Sequence, residues 1–131
     1  MTKKAVIHSD GASRNNPGPA AIGATIKDEQ GKLLATISQS IGRSTNNQAE
    51  YRAVIAALEE AIKLGVQQVE IKMDSELVVR QVAGRYRVKN EALKPLFGRV
   101  KKLLDSLEGF SIRHIPRWQN QEADRLANSA L

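Results

Sequence analysis

The most informative segment of this sequence covers residues 45–73, TNNQAEYRAVIAALEEAIKLGVQQVEIKM. Thr45 and Gln48 have the spacing of a capping box, and the alanine-rich run after them ends at Gly65, the residue type that commonly follows a helix. Residues 66–73 then have the apolar alternation of a β-strand. A strand reached through a helix usually pairs in parallel with a strand already in the sheet, so this segment predicts a mixed α/β fold.

Strand-like and helix-like runs lie on both sides of this segment. We expect the turn-rich stretch after Asp10-Gly11 to end the first strand. The predicted strands cover residues 3–10, 20–27, 32–41, 66–73 and 110–115, and the predicted helices cover residues 45–64, 75–82, 91–107 and 120–131. This order predicts an α/β, three-layer fold with a mixed five-stranded sheet and helices on both faces. Strands 1–3 should be antiparallel, and strands 4 and 5 should be parallel to strand 1.

Length and composition exclude several classes of protein. A chain of 131 residues with 41% hydrophobic residues is expected to form one domain, residues 1–131, without disulfides or structural metal. The sequence contains no Cys, which excludes thiolate zinc sites and cysteine nucleophiles. It also has no apolar run of membrane-spanning length and no secretory signal pattern, so we expect a cytoplasmic protein that does not interact with membranes.

The positive charge is concentrated in one part of the chain. The net charge is +6, and the window from Arg80 to Lys102 holds eight basic residues against one acidic residue, Glu91. Most such runs form a solvated helix face, but clustered like charges repel one another and phosphate would relieve that repulsion. The window therefore favours a nucleic-acid partner over a merely solvated surface.

Four acidic residues are predicted to meet at one end of the sheet. Asp10 ends strand 1, Asp74 follows strand 4, Asp124 lies early in the last helix, and Glu50 lies four residues before Val54 on the apolar stripe of its helix. Singly, these residues could serve as turn or helix-cap residues. Together they predict a site where repulsion demands a proton or a cation, and hard oxygen ligands select Mg²⁺ or Mn²⁺.

Four sequence words resemble those of a known family, the type 1 ribonucleases H, over nearly the whole chain. They are SDGASRNNPG at residues 9–18, TNNQAE at residues 45–50, MDS at residues 73–75 and NQEADRLA at residues 120–127. The match is closest to the RNase HI-like branch that lacks the long basic protrusion. The resemblance implies an endonuclease that cuts the RNA strand of RNA/DNA hybrids and leaves 5′-phosphate and 3′-hydroxyl ends. It also implies two Mg²⁺ ions, with Mn²⁺ as a substitute, held by Asp10, Glu50, Asp74 and Asp124.

The resemblance further implies which residues contact the substrate. Asn16, Asn46 and Asn47 would sense the 2′-hydroxyl of RNA together with the backbone of Gly11. Two more residues, Arg43 and Thr45, resemble the pocket that binds a phosphate of the DNA strand. The alternative roles are structural: the Asn residues suit turns and caps, Thr45 suits a helix cap, and Arg43 suits a solvated surface.

Three departures from the family pattern affect the predicted function. Glu76 stands where many members carry Gln, so a charge replaces a neutral contact to RNA. The stretch at residues 84–90 is too short for the basic protrusion of many bacterial members. His114 matches the catalytic His of the family, but the Pro after Ile115 favours a fixed position, so Arg117 is an equal candidate for the catalytic or product-release role. The only tryptophan, Trp118, could cover the loop or stack on substrate, and of the two we expect packing against the protein.

Two other functions remain open from the sequence. One is an accessory module that binds RNA/DNA hybrids without cutting them, and the other is a DNA nuclease or recombinase of the same fold. For the hydrolase we expect an RNA/DNA hybrid as partner, chimeric RNA–DNA junctions as a further candidate substrate, and a monomeric protein.

Overall fold

The computed structural model describes residues 3–131, which form one five-stranded sheet flanked by helices. The elements in chain order are β1 Lys4–Ser13, β2 Gly18–Asp28, β3 Leu33–Ser44, α1 Asn46–Lys63, β4 Gln68–Met73, α2 Glu76–Val82, α3 Lys94–Asp105, β5 Gly109–His114 and α4 Gln121–Ser129. The strand order is β3-β2-β1-β4-β5. Strands β1, β2 and β3 pair antiparallel, whereas β4 is parallel to both β1 and β5, which confirms the predicted fold class. In the described residues no helix combines the length and the apolarity that a bilayer crossing needs.

Helix α1 packs on one face of the sheet and forms the centre of the core. Its predicted capping box is present: Gln48 N donates to Thr45 Oγ1 at 3.2 Å, and Thr45 N donates to Gln48 Oε1 at 2.9 Å. The buried side chains of α1 lie against Ile7 of β1 and Ile71 of β4 in the main apolar cluster. Because the cap is formed by Thr45 and Gln48, the carboxylate of Glu50 is not needed there.

Helix α4 covers the opposite face of β1 and β2. Its buried residues, Ala123 and Ala127, are small, and they lie over Gly23 of β2. A Cβ atom at Gly23 would overlap the backbone of both alanines. The helix therefore lies close to the sheet, and the early part of α4, which includes Asp124, is held near the end of β1.

Strand β1 is longer than predicted. We expected Asp10-Gly11 to end the strand, but β1 continues to Ser13, where it still pairs with Ala20 of β2. Gly11 is required for a close approach and not for a turn, since a Cβ atom there would overlap the backbone of Ala49 and Glu50. The first turns of α1 can therefore lie directly against β1 beside Asp10.

The third helix is shorter than predicted. It begins at Lys94, because the side chain of Asn90 forms a turn ahead of it. Asn90 Oδ1 accepts a hydrogen bond from Ala92 N at 2.8 Å, which competes with helix formation. Residues 83–93 thus form a connection between α2 and α3 that carries part of the basic window.

Candidate metal centre

Strand register brings two of the predicted acids side by side. His8 of β1 pairs with Lys72 of β4 in a parallel ladder; Asp10 lies two residues after His8 in β1, and Asp74 lies two residues after Lys72, directly after the end of β4. Because successive side chains of a strand point to alternate faces, the side chains of Asp10 and Asp74 lie on the same face of the sheet. Glu50 reaches the same point from α1, so that one carboxylate oxygen from each of Asp10, Glu50 and Asp74 lies within 4.8 Å of the others.

Burial and crowding make these carboxylates hard to ionise together. Asp10 is 6% exposed, and its pKa is raised first by burial and then by the charge of Glu50. Burial also raises the pKa of Glu50, although the backbone N–H of Gly11 donates to Glu50 Oε1 and acts in the opposite direction. A cation would remove the repulsion, and an all-carboxylate donor set suits Mg²⁺ or Mn²⁺. The donor atoms present therefore fit a hard divalent ion.

Asp124, in α4, lines the same cavity as the other three acids. It lies close enough to Asp10 for a side-chain hydrogen bond when one carboxyl carries a proton. Its Oδ1 accepts from Asn128 Nδ2 at 3.1 Å and lies 3.6 Å from Arg117 Nη2. All four acids line one cavity of about 560 Å³, together with residues that include Gly11, Arg14, Asn46, Asn47 and Arg117. We call this the acidic cavity.

Asn120, for which the sequence predicted no role, connects the acids to the sheet. Its side chain is 1% exposed, and Nδ2 donates both to the backbone oxygen of Ser9 at 2.9 Å and to Asp74 Oδ1 at 3.2 Å. The residue therefore ties Asp74 to the strand that carries Asp10, one residue before α4 begins. Its place in the NQEADRLA word, four residues before Asp124, was the only signal in the sequence.

The substrate-binding residues that the resemblance implies lie near the N-terminus of α1. Gly11, Asn46 and Asn47 line the acidic cavity. A neighbouring cavity of about 250 Å³ is lined by residues that include Asn16, Thr45 and Asn47. Asn16 Oδ1 accepts from Asn46 N at 3.0 Å, which joins the loop after β1 to the first residue of α1. The turn and cap roles considered above are thus present, and the side chains also face open cavities.

Of the remaining predicted residues, only Arg117 lines the acidic cavity, and Arg43, Glu76 and His114 do not. Arg43 is exposed on β3, in register with Pro19. Glu76 begins α2 and forms an ion pair with Arg80 at 2.8 Å, so its charge is partly neutralised within the helix. His114 is exposed at the last residue of β5, whereas Arg117 lines the acidic cavity.

Two more sequence expectations can be compared with the structure. Trp118 is 69% exposed, so the expectation that it packs against the protein was wrong. It lies in a short 3-10 helix, Arg117–Gln119, which the sequence analysis did not predict. The basic connection before α3 exposes Arg85, Arg87 and Lys89, as a polyanion-binding surface would require.

Comparisons with known proteins agree on one family. The family profile described as "Reverse transcriptase-like" matches residues 8–130. The chain is 46% identical over 122 residues to "Ribonuclease HI" of Halobacterium salinarum, covering 93% of this chain and 61% of that protein. It is 45% identical over 129 residues to the "Bifunctional protein Rv2228c" of Mycobacterium tuberculosis, covering 98% of this chain and 35% of that protein.

A solved structure supports the same assignment. LC11-RNase H1 in complex with an RNA/DNA hybrid superimposes with a TM-score of 0.92 at 44% identity, covering 96% of this chain and 95% of that chain. The chain spans only about a third of the mycobacterial relative and less than two thirds of the halobacterial one. The profile match nevertheless extends over nearly every residue, including all four acids of the acidic cavity. The chain therefore belongs to the RNase HI-like, or type 1 ribonuclease H, family.

Proposed function

We propose that this chain is a divalent-metal-dependent ribonuclease H, an endonuclease that hydrolyses the RNA strand of RNA/DNA hybrids. The products would carry 5′-phosphate and 3′-hydroxyl ends. The observation that carries the proposal is the meeting of Asp10, Glu50 and Asp74 within 4.8 Å in a chain of net charge +6. A relative that binds an RNA/DNA hybrid in its solved structure adds support.

The four acids would hold two Mg²⁺ ions, with Mn²⁺ as a possible substitute. We assign Asp10 to both ions, Glu50 and Asp74 to one, and Asp124 to the other. When bound, such ions supply Lewis-acid stabilisation of the charge that develops on the phosphate and a more acidic water as nucleophile. The N–H of Gly11 orients Glu50, and Asn120 orients Asp74 through the 3.2 Å hydrogen bond. Without a cation, the acids would repel a phosphate, so placing the scissile phosphate for cleavage should require the metal.

The polar residues beside the acidic cavity support a substrate with a 2′-hydroxyl. We assign Asn16, Asn46 and Asn47, with the backbone of Gly11, to the minor groove of the hybrid, where amides can bond to that hydroxyl. Arg43 and Thr45 would contact a phosphate of the DNA strand. Arg117 lies 3.6 Å from Asp124 and would approach the RNA phosphate. The same contacts would accept the junction of a chimeric RNA–DNA strand, and one monomer would suffice.

The second candidate is a module that binds hybrids without cutting them. Glu76 favours it, because an acidic side chain at a position expected to contact RNA would repel phosphate. The ion pair of Glu76 with Arg80 weakens this repulsion. The intact set of four acids in one cavity favours the enzyme.

A labelled-duplex assay tests the proposal. RNA/DNA, RNA/RNA and DNA/DNA duplexes of one sequence are incubated with the protein in Mg²⁺, in Mn²⁺ and in chelator, and both product ends are mapped. Cleavage of the RNA strand in the hybrid alone, lost in chelator, is the expected result. Binding without cleavage would support the accessory module, and cleavage of the DNA duplex would support a DNA nuclease.

A further inference from the structure

A second cavity lies next to the acidic cavity, on the α4 face of the sheet. It has a volume of about 310 Å³, and its walls come from β1, β2, the 3-10 helix and the start of α4. We call it the Trp118 cavity. Its lining residues include His8, Thr25, Lys27, Trp118, Asn120 and Arg125. A volume of this size is at the small end of ligand pockets, so it suits a single small ligand unit.

The two cavities are separated by one short turn. Arg117 lines the acidic cavity, while Trp118 and Asn120 line the Trp118 cavity. Asn120 also donates to Asp74 Oδ1, so a single buried side chain belongs to the wall of one cavity and contacts an acid of the other. The Trp118 cavity is therefore within reach of a strand bound over the acidic cavity.

Trp118 presents a flat aromatic surface to solvent. The side chain is 69% exposed although it carries one of the largest apolar surfaces of any side chain, and Pro116 precedes its 3-10 helix. On the other side, the buried Asn120 ties the turn to β1 through the 2.9 Å hydrogen bond to Ser9 O. The turn that carries the indole is thus tied to the sheet, and the exposed indole is available for stacking, the interaction by which aromatic residues bind unpaired bases.

The rest of the lining offers groups suited to a base edge and a phosphate. His8 lines the cavity from β1, and an imidazole ring nitrogen can form a hydrogen bond with the edge of a base.

Two cations lie at the same cavity. Lys27 is paired with Glu122 at 3.0 Å, whereas Arg125 makes no ion pair within residues 3–131. Arg125 is therefore the available phosphate contact.

We propose that the Trp118 cavity binds one unpaired nucleotide adjoining the duplex that lies over the acidic cavity, with its base on the indole of Trp118 and its phosphate at Arg125. A base within a duplex has both faces stacked and its pairing edge occupied, so only an unpaired nucleotide can enter. The proposal rests on the proposed function, and it adds the junction between duplex and single strand as a preferred substrate.

The test uses the fact that Trp118 is the only tryptophan of the chain. A blunt RNA/DNA hybrid is compared with the same hybrid carrying two unpaired nucleotides at one end, with each end and each strand tried in turn. Binding is measured by fluorescence anisotropy and by indole fluorescence in an Asp10→Asn background, which prevents cleavage.

For at least one extended hybrid we expect affinity tighter by about fivefold or more than for the blunt one, with a change in indole fluorescence. Trp118→Ala should abolish this difference and leave blunt-hybrid affinity unchanged, whereas Trp118→Phe should retain part of it. Phe110→Ala, which removes an exposed aromatic side chain on β5, is the matched control and should retain all of it. Arg125→Gln should reduce the salt dependence of the extension effect by about one phosphate contact.

The inference is overturned if blunt and extended hybrids bind with equal affinity at every end, or if Trp118→Ala keeps the same affinity advantage for the extended hybrid. Neither result would affect cleavage of blunt hybrids, so the proposed function would stand. If no hybrid binds or is cut, the proposed function fails instead. In that case, binding to the Trp118 cavity is tested with free single-stranded oligonucleotides. Unchanged indole fluorescence would then overturn the inference.

Discussion

Strand β1 and helix α1 together build two buried regions that differ in their physical character. Near the middle of both elements, Ile7 and Leu58 are fully buried in the apolar core. Toward the end of β1 and the start of α1, Asp10 and Glu50 meet in the acidic cavity. Glu50 and Leu58 lie eight residues apart on one stripe of α1, yet burial stabilises the fold at Leu58 and opposes it at Glu50. β1 and α1 therefore stabilise the fold in the apolar core, whereas in the acidic cavity they form a site that requires a cation.

The sign of the effect at the acidic cavity follows from its pKa shifts. Asp10 and Glu50 both have pKa values raised by burial. A carboxyl whose pKa is higher in the folded than in the unfolded protein holds its proton more tightly when folded. Folding is therefore penalised once the pH rises above the ordinary range of carboxyl groups, and the penalty disappears as the pH falls back through that range. A bound cation should relieve the penalty at neutral pH.

The largest expected effect comes from removing the charge at the centre of the acidic cavity. Asp10→Asn should reduce cleavage of an RNA/DNA hybrid by at least about a thousandfold, because several kcal/mol of charge stabilisation depend on the cations this residue would hold. Turnover is measured with Mg²⁺ in excess. Activity like that of the unaltered protein would remove Asp10 from the ligand set.

The same substitution should have the opposite effect on stability. At pH 7 and without metal, Asp10→Asn should melt about 5 °C or more above the unaltered protein, since the amide carries no charge to bury. The difference should shrink below about pH 4, the ordinary range of Asp. Added Mg²⁺ should raise the melting temperature of the unaltered protein and change that of the variant much less. A variant that melts lower at pH 7 would show that the cluster is not under electrostatic strain.

A substitution in the apolar core should lower stability without changing the metal site. Leu58→Ala should lower the free energy of unfolding by about 2–5 kcal/mol, because it removes buried methyl groups and leaves a cavity. Cleavage per folded molecule and Mg²⁺ affinity should remain unchanged at a temperature where the variant is folded. Chemical denaturation and calorimetric titration measure the two properties. A large loss of Mg²⁺ affinity would mean that the core positions the acids more directly than the contacts indicate.

Asn120 is buried beside the acidic cavity, where it contacts Asp74, and its removal should weaken the metal site. Asn120→Ala should lower Mg²⁺ affinity by about 10- to 100-fold, since a residue that orients a metal ligand commonly has an effect of this size. Asn128→Ala is the matched control: it removes an amide that donates to Asp124 at 3.1 Å, but from an exposed position. Calorimetric titration of both variants measures the difference. Equal effects would show that burial and the contact with Asp74 are unimportant.

The smallest expected effect concerns the two candidates for assistance at the phosphate. Arg117→Ala should lower the single-turnover rate by about tenfold, the worth of one hydrogen bond to a charged group, because this residue lines the acidic cavity. His114→Ala should change the rate little, because His114 does not line the acidic cavity. Rates are compared under saturating protein. Equal and negligible losses would remove both residues, and a larger loss in His114→Ala would reverse the assignment.

Prediction from sequence succeeded where the signals were local. The capping box at Thr45 and Gln48 and the succession of strand, helix and strand along the chain around α1 depend on neighbours within a few residues, and both were confirmed. The length of β1 was misjudged, because Asp10-Gly11 is a common turn pair whose meaning here depends on the backbone of Ala49, far along the chain. The exposure of Trp118 was misjudged for a related reason, since an aromatic residue is usually buried unless a turn holds it outward.

The sequence by itself determined the order of the elements, the apolar face of α1 and the presence of four acids near element ends. Those features follow from local propensity, periodicity and spacing, which the chain carries before it folds. Only the tertiary structure decided that carboxylate oxygens of Asp10, Glu50 and Asp74 come within 4.8 Å, and that Asn120 ties Asp74 to β1. These distances depend on the register of parallel strands and on the close packing of a helix over Gly11, which are set by contacts between residues remote in sequence.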